Sequence, residues 1–286
     1  MEWSLHISSA AELDRAPSFS GEVARFFAAP RFERIAYGTE FCEHLLPEAA
    51  MLRDVISSGR PLTFLTPYVT QDGLDQLRRL LPLIDQGEVV FNDWGVLRML
   101  RREFPHLEPV QGRLLYKSLR DPRVTTVYAE TAAAAPESSL RILQQSNLDN
   151  ASYAGLLERY GVRSVEIDQL PQGTDLSFTR YGMSVSVYLP FGFISTSRVC
   201  MAAGLHYRPK EKFQPGAPCR RECQTHELTY TYTNSPFQNR DQEFLLKGNT
   251  YFYQHSPGSL RSLAEAAEAG KIARLVYQPR LPMFFG

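Results

Sequence analysis

Short runs of apolar and β-branched residues recur along the chain, and the stretches between them carry helical spacing. Ser4 to Ile7, Ile35 to Gly38, Leu62 to Thr66 and Val89 to Phe91 have the length and content of strands. Between them, Leu45, Ala49, Leu52 and Ile56 form one stripe at helical spacing, and Leu74, Leu77, Leu80, Leu81 and Ile84 form another. Gly59-Arg60-Pro61 stops one helix and launches the next strand, as Asp85-Gln86-Gly87 does before Val89. Four strand-helix units therefore fit before residue 105.

From Gln111 to Ser139 the rhythm breaks into the Arg-rich stretch Arg113 to Arg123 and the small-residue run Ala132 to Ala135 before Pro136, which reads as an insertion at 111–139. It resumes with a strand at Arg141 to Gln144, a helix at Ala151 to Tyr160, and strands at Ser164 to Ile167 and Ser184 to Leu189. Strands follow at Thr229 to Thr233, Phe244 to Leu246 and Thr250 to Tyr253, then a helix at Leu260 to Ala269 and a strand at Ala273 to Tyr277. About eight strands alternating with helices predict a single-domain α/β fold over 1–286, a distorted TIM-barrel-like β/α barrel, with an open doubly wound sheet as competitor. A cysteine-bearing loop spans 198–223.

Composition narrows the function classes. With 31 Lys and Arg against 31 Asp and Glu the net charge is zero, so nothing global points to nucleic acid or a membrane surface. A small anionic or aromatic substrate, or a protein partner, fits better. Hydrophobic residues at 43% and charged residues at 22% match soluble globular chains. Met1 to Leu5 carries an early acid and no apolar leader, and the stretch Val187 to Ile194 is far shorter than the ~20 residues a bilayer span needs. The expected location is the cytoplasm, where thiols stay reduced unless something binds them.

The four cysteines are Cys42, Cys200, Cys219 and Cys223. Cys42 and Cys200 each follow a predicted strand, so both lie past carboxyl ends of strands, the face where barrel active sites form. Three readings compete. Singly, the cysteines could be small buried hydrophobes. Four-thiolate zinc usually presents two short pairs, and only Cys219 to Cys223 is short here. An iron-sulfur cluster needs four thiolates without two paired knuckles and fits best. From Arg198 to Arg221 six cations stand against the single acid Glu211, a local charge that would favour thiolates or draw an anionic substrate. Glu40, Asp93 and Asp168 sit at predicted strand ends as candidate acid/base groups, with helix capping the competing role for Asp93 and Asp168. No nucleophile elbow, dinucleotide fingerprint or zinc helix is present.

At these residues the sequence resembles the U-32 peptidase-like (collagenase-like peptidase) family, within it the UbiV-like iron-sulfur branch. The similarity runs through Ile35-Ala36-Tyr37-Gly38-Thr39-Glu40-Phe41-Cys42, Asn92-Asp93-Trp94-Gly95-Val96, Gln145-Ser146-Asn147-Leu148-Asp149-Asn150 and Ser197-Arg198-Val199-Cys200. It continues through Cys219 to Cys223, Leu245-Leu246-Lys247-Gly248 and Ala273 to Pro279. The resemblance implies a TIM-barrel-like fold and a 4Fe-4S cluster (zinc being the alternative) on Cys42, Cys200, Cys219 and Cys223, with Arg198, Asn147 and Arg220 in the cluster or substrate environment. It further implies an enzyme, or subunit of one, in oxygen-independent hydroxylation of the ubiquinone-biosynthesis kind, working as a heterodimer with a homologous UbiU-like subunit. A binding subunit with a structural metal site, or an RNA-modifying hydroxylase or peptidase of the same family, are the alternatives.

Overall fold

A computed structural model describes residues 1–13, 17–19, 21–28, 31–121, 137–212, 218–230 and 243–283. The predicted strand-helix rhythm closes on itself. Strands β1 (Glu2–Ile7), β2 (Arg34–Gly38), β3 (Leu62–Leu65), β4 (Glu88–Phe91), β5 (Glu108–Gln111), β6 (Ser164–Asp168) and β7 (Ser184–Leu189) follow one another around a ring, and the last strand, β12 (Arg274–Tyr277), fits between β7 and β1. All eight pairings are parallel. The fold is thus a single-domain α/β, TIM-barrel-like one, and closure excludes the open doubly wound sheet.

The helices between the staves are α1 (Gly21–Phe26), α2 (Ala49–Ile56), α3 (Gln71–Leu80), α4 (Trp94–Glu103), α5 (Glu137–Gln144), α6 (Ala151–Arg159) and α7 (Pro257–Glu268). Their starts are written locally. Thr70, Asp93, Asn150 and Ser256 each accept a hydrogen bond from a backbone N–H of the first turn, which satisfies donors that a helix leaves orphaned. The apolar stripes, Leu52 and Val55 on α2 and Leu77 and Leu80 on α3 among them, pack on outward residues of the staves such as Leu5, Ile35, Phe64 and Val89.

Three expectations change. Arg141 to Gln144 is the end of α5, not a strand: Leu140 and Leu143 are half-buried three residues apart, a helical spacing, while Ile142 between them is exposed. The insertion begins later than Gln111, because Glu108–Gln111 is itself a stave; residues 122–136 of it lie outside the described residues. Third, the strands after residue 190 are not staves. β8 (Phe191–Thr196), β11 (Thr250–Gln254), β10 (Phe244–Lys247) and β9 (Leu228–Tyr230) form a separate antiparallel sheet in that order. Of the strand expected at Thr229 to Thr233, residues 231–233 lie outside the described residues, as do 213–217 of the cysteine loop.

Inside the ring, side chains stack in tiers. At the amino end of the staves, Arg274 forks onto both oxygens of Glu88 at 2.6 and 2.8 Å and also reaches Glu2 at 2.6 Å, while Arg34 bonds Glu2 at 2.8 Å. Above it lies an apolar tier of Ala36, Leu65, Val90, Val110 and Val276, with the ring of Tyr188. At the carboxyl end the interior turns polar again. There the second sheet seats Phe193 and Phe252 against Phe41 from the β2 loop, with ring centroids 5.5 and 5.2 Å apart.

Candidate functional site

Two groupings occupy the carboxyl-end mouth: a buried ionic network and, beside it, the four cysteines. Arg113, two residues past β5, points across the mouth and is fully buried. Its Nε and Nη2 donate to the two oxygens of Glu40 at 2.9 and 2.7 Å, and its Nη1 donates to Asp168 Oδ1 at 2.8 Å and to the Phe191 carbonyl at 3.3 Å. The guanidinium lies 3.8 Å from the centroid of the Tyr188 ring. Arg120 bonds the other oxygen of Asp168, gives its Nη2 to the carbonyls of Arg113 and Tyr116 at 3.1 Å, and sits 3.9 Å from the Phe193 ring centroid. Two buried cations thus meet two buried anions.

Burial raises the Glu40 carboxyl, and Arg113 opposes the rise without cancelling it. The fork in which both of its oxygens accept is that of a carboxylate. Burial would also raise Asp168, but Arg113 and Arg120 together hold it below the usual carboxylate range. Deeper in the barrel, Glu166 is raised to about 8 by burial and by the charge of Glu40, and its Oε2 accepts a 2.8 Å bond from Tyr188. Glu166 is therefore a neutral acid at pH 7. His255, wholly buried beside this network, is lowered to about 4 by burial, and among the described residues neither of its ring nitrogens has a hydrogen-bond partner.

The four cysteines are free thiols that the tertiary fold gathers at the same end. Cys42, Cys200 and Cys223 belong to one apolar cluster with Phe41, Leu45, Phe193, Ala202, Phe252 and Met283. Burial raises the Cys42 thiol to about 12, a backbone N–H at His44 opposes the rise, and the nearby thiols of Cys219, Cys223 and Cys200 each add to it. Cys200 and Cys223 are likewise raised, chiefly by burial. Backbone N–H groups of Ala203 and Arg221 donate to the sulfurs of Cys200 and Cys219 at 3.4 and 3.3 Å, and Gln224 Nε2 donates to Cys223 at 3.4 Å. The basic stretch does less than expected for the thiolates. Arg198 is turned to the Val69 carbonyl at 3.1 Å and lies 5.5 Å from the Tyr68 ring centroid, and Arg220 and Arg221 are exposed.

The other expected site residues separate. Asp93 is the cap of α4, accepting from Gly95 N–H at 2.7 Å, and so performs the structural role weighed for it. Asn147 bonds Leu115 and Lys117 of the β5 loop through a 3.0 Å donation and a 2.8 Å acceptance, a backbone clamp. Glu40 and Asp168 do converge at the mouth. Arg113, Arg120, Glu166 and Tyr188 were not among the expected site residues. Glu166 carried a signal, an acid between Val165 and Ile167 in an apolar strand; Arg113 and Arg120 were hidden in a stretch read as insertion.

No family model matches the chain, and no curated protein matches it. Solved structures similar to it include a glycoside hydrolase family 18 N-acetylglucosaminidase from Paenibacillus barengoltzii, at 10% identity and TM-score 0.38, covering 96% of this chain and 94% of that one. A class V chitinase mutant from Cycas revoluta has 10% identity and TM-score 0.37, covering 97% and 94%. A Group IV chitinase from Ostrinia furnacalis has 7% identity and TM-score 0.29, covering 96% and 91%. At these values the likenesses assign no activity to this chain.

The expected 4Fe-4S protein of oxygen-independent hydroxylation is corrected by the structure: among the described residues no group of three or more His, Cys, Asp or Glu is placed to hold a metal ion. Cys42, Cys200 and Cys223 sit among apolar side chains, where burial raises each thiol. Among the described residues no helix is long and apolar enough to cross a membrane.

Proposed function

We propose that the chain is an enzyme of barrel architecture whose chemistry sits in a four-thiol centre at the carboxyl-end mouth, with the Glu40–Arg113–Asp168–Arg120 network as its rigid floor. One observation carries this reading: Cys42, Cys200 and Cys223, from three separate chain segments, pack in one apolar cluster, and Cys219 shares a short segment with Cys223. Four reduced sulfurs on an apolar bed are soft donors, suited to a sulfur-seeking ligand. The floor is neutral as a whole, so it keeps the mouth in shape without drawing charge. We further propose kinship with the U-32 peptidase-like family, supported by the order of the motifs around Cys42, Cys200 and Cys219 to Cys223.

Thiol counting tests the reading. In protein purified without oxygen, fewer than four thiols are expected to react with a chromogenic disulfide reagent in the native state and all four after unfolding. Replacing any one cysteine by serine is expected to speed the remaining three, and elemental analysis of the same samples identifies any bound element. Four native thiols that react independently, each indifferent to loss of the others, would sink the four-thiol centre.

A further inference from the structure

The two-residue turn Gly248-Asn249, which joins β10 to β11, is lodged among the cysteine segments. Asn249 is buried, and its Nδ2 donates to three oxygens: the Phe41 carbonyl at 2.8 Å, the Ser197 carbonyl at 2.6 Å and Tyr68 Oη at 3.1 Å. Phe41 directly precedes Cys42, and Ser197 opens the loop that carries Cys200. The Oδ1 of Asn249 accepts from Thr250 Oγ1 at 2.9 Å, which fixes the amide's orientation. The backbone of the turn repeats the connection, since Ser197 N–H donates to the Asn249 carbonyl at 3.3 Å and Ala202 N–H to the Gly248 carbonyl at 3.2 Å. The third cysteine segment lies against the same turn. Gly248 has φ +62°, and a Cβ built on it would meet Met283 Cε at 2.6 Å and Cys223 Cβ at 3.3 Å. Glycine is needed there both for its conformation and for the closeness of Cys223.

We propose that Asn249 is the positioning residue of the four-thiol centre, the side chain that holds the Cys42 segment and the Cys200 segment at one separation. The proposal rests on the thiol-centre reading above. Its physical basis is that a primary amide has two N–H donors in one plane, and here they are shared among acceptors from three loops, the two cysteine loops and the Tyr68 loop. Without those donors the Phe41 carbonyl stays buried and unpaired, the Ser197 carbonyl loses its tie to the same amide, and the loops gain a reason to part.

The test is cysteine-by-cysteine alkylation by iodoacetamide, read by peptide mass spectrometry on the full-length reduced protein without oxygen. Asn249→Asp keeps the acceptor and removes the donors, and Asn249→Ala removes both without adding a charge. Each is expected to speed alkylation of Cys42 and Cys200 on the order of tenfold, with Cys219 and Cys223 changed much less. A merely structural role would speed all four together, in step with the loss of global stability, and that pattern overturns the proposal, as do unchanged rates at Cys42 and Cys200. Should the buried carboxylate of the Asp variant prevent folding, the Ala variant decides alone. Wild-type thiols that already react independently defeat the thiol-centre reading itself, whereas protected wild-type thiols with unresponsive variants defeat only the role of Asn249.

Discussion

Replacing Arg113 by methionine removes the cation on which the mouth is built while keeping an unbranched side chain in its place. Glu40 then loses all three of its bonds from Arg113, at 2.7, 2.9 and 3.2 Å, and among the described residues no other cation is paired with it; Asp168 keeps Arg120. Breaking one side of a buried pair costs about 3–5 kcal/mol. A second route gives the same scale: left alone, Glu40 must bind a proton, and doing so at pH 7 from an ordinary value near 4.3 costs about 3.7 kcal/mol. Against a total stability of roughly 5–15 kcal/mol this is a severe loss. The sign with pH follows. In the variant the folded-state pKa of Glu40 is raised above its unfolded value, so the penalty is absent below about pH 4.3 and grows as pH rises, by up to ~2.7 kcal/mol between pH 5 and pH 7. Urea unfolding at those two pH values measures it. Adding Glu40→Gln to Arg113→Met is expected to restore most of the pH 7 loss, because the orphaned charge is gone. A loss at pH 7 of under about 1 kcal/mol, or one equal at both pH values, would refute the pairing as the main support of the mouth.

Two further expectations concern single side chains. Glu166, raised to about 8, costs stability that increases from the unfolded carboxylate value up to that pH, so Glu166→Gln is expected to leave urea midpoints unchanged at pH 4 and to raise them at pH 7; a lowered midpoint at pH 7 contradicts the neutral-acid assignment. Asp93→Ala is expected to cost about 1 kcal/mol through loss of the α4 cap while leaving thiol reactivities untouched, and altered alkylation at the cysteines would show that Asp93 serves the site after all.

Much of this was legible from neighbouring residues. The staves β2, β3, β4 and β7 and the stripes on α2 and α3 follow from local periodicity, because a strand or helix that buries one face must repeat apolar residues at its own period. Stave β5 carries little local signal because Glu108-Pro109-Val110-Gln111 is short and holds a proline, and proline weakens any strand signal. The end of α5 reads as a strand because a run as short as Arg141 to Gln144 satisfies either period. In the second sheet the alternation of residues is ordinary; what sends β8 to β11 outside the ring is that β12 takes the place beside β7.

The strand-helix alternation and the helix caps follow from the amino-acid sequence alone, each a property of residues close together in the chain. The tertiary structure alone sets the closure of the ring, the crossing of the mouth by Arg113 and Arg120 to meet Glu40 and Asp168, and the tie that Asn249 makes between the Cys42 loop and the Cys200 loop. The difference is physical. Periodicity and capping are satisfied within a turn or two of backbone, whereas a buried charge or a buried amide must find its partner wherever the fold brings one, and the sequence separation of the two says nothing about the meeting.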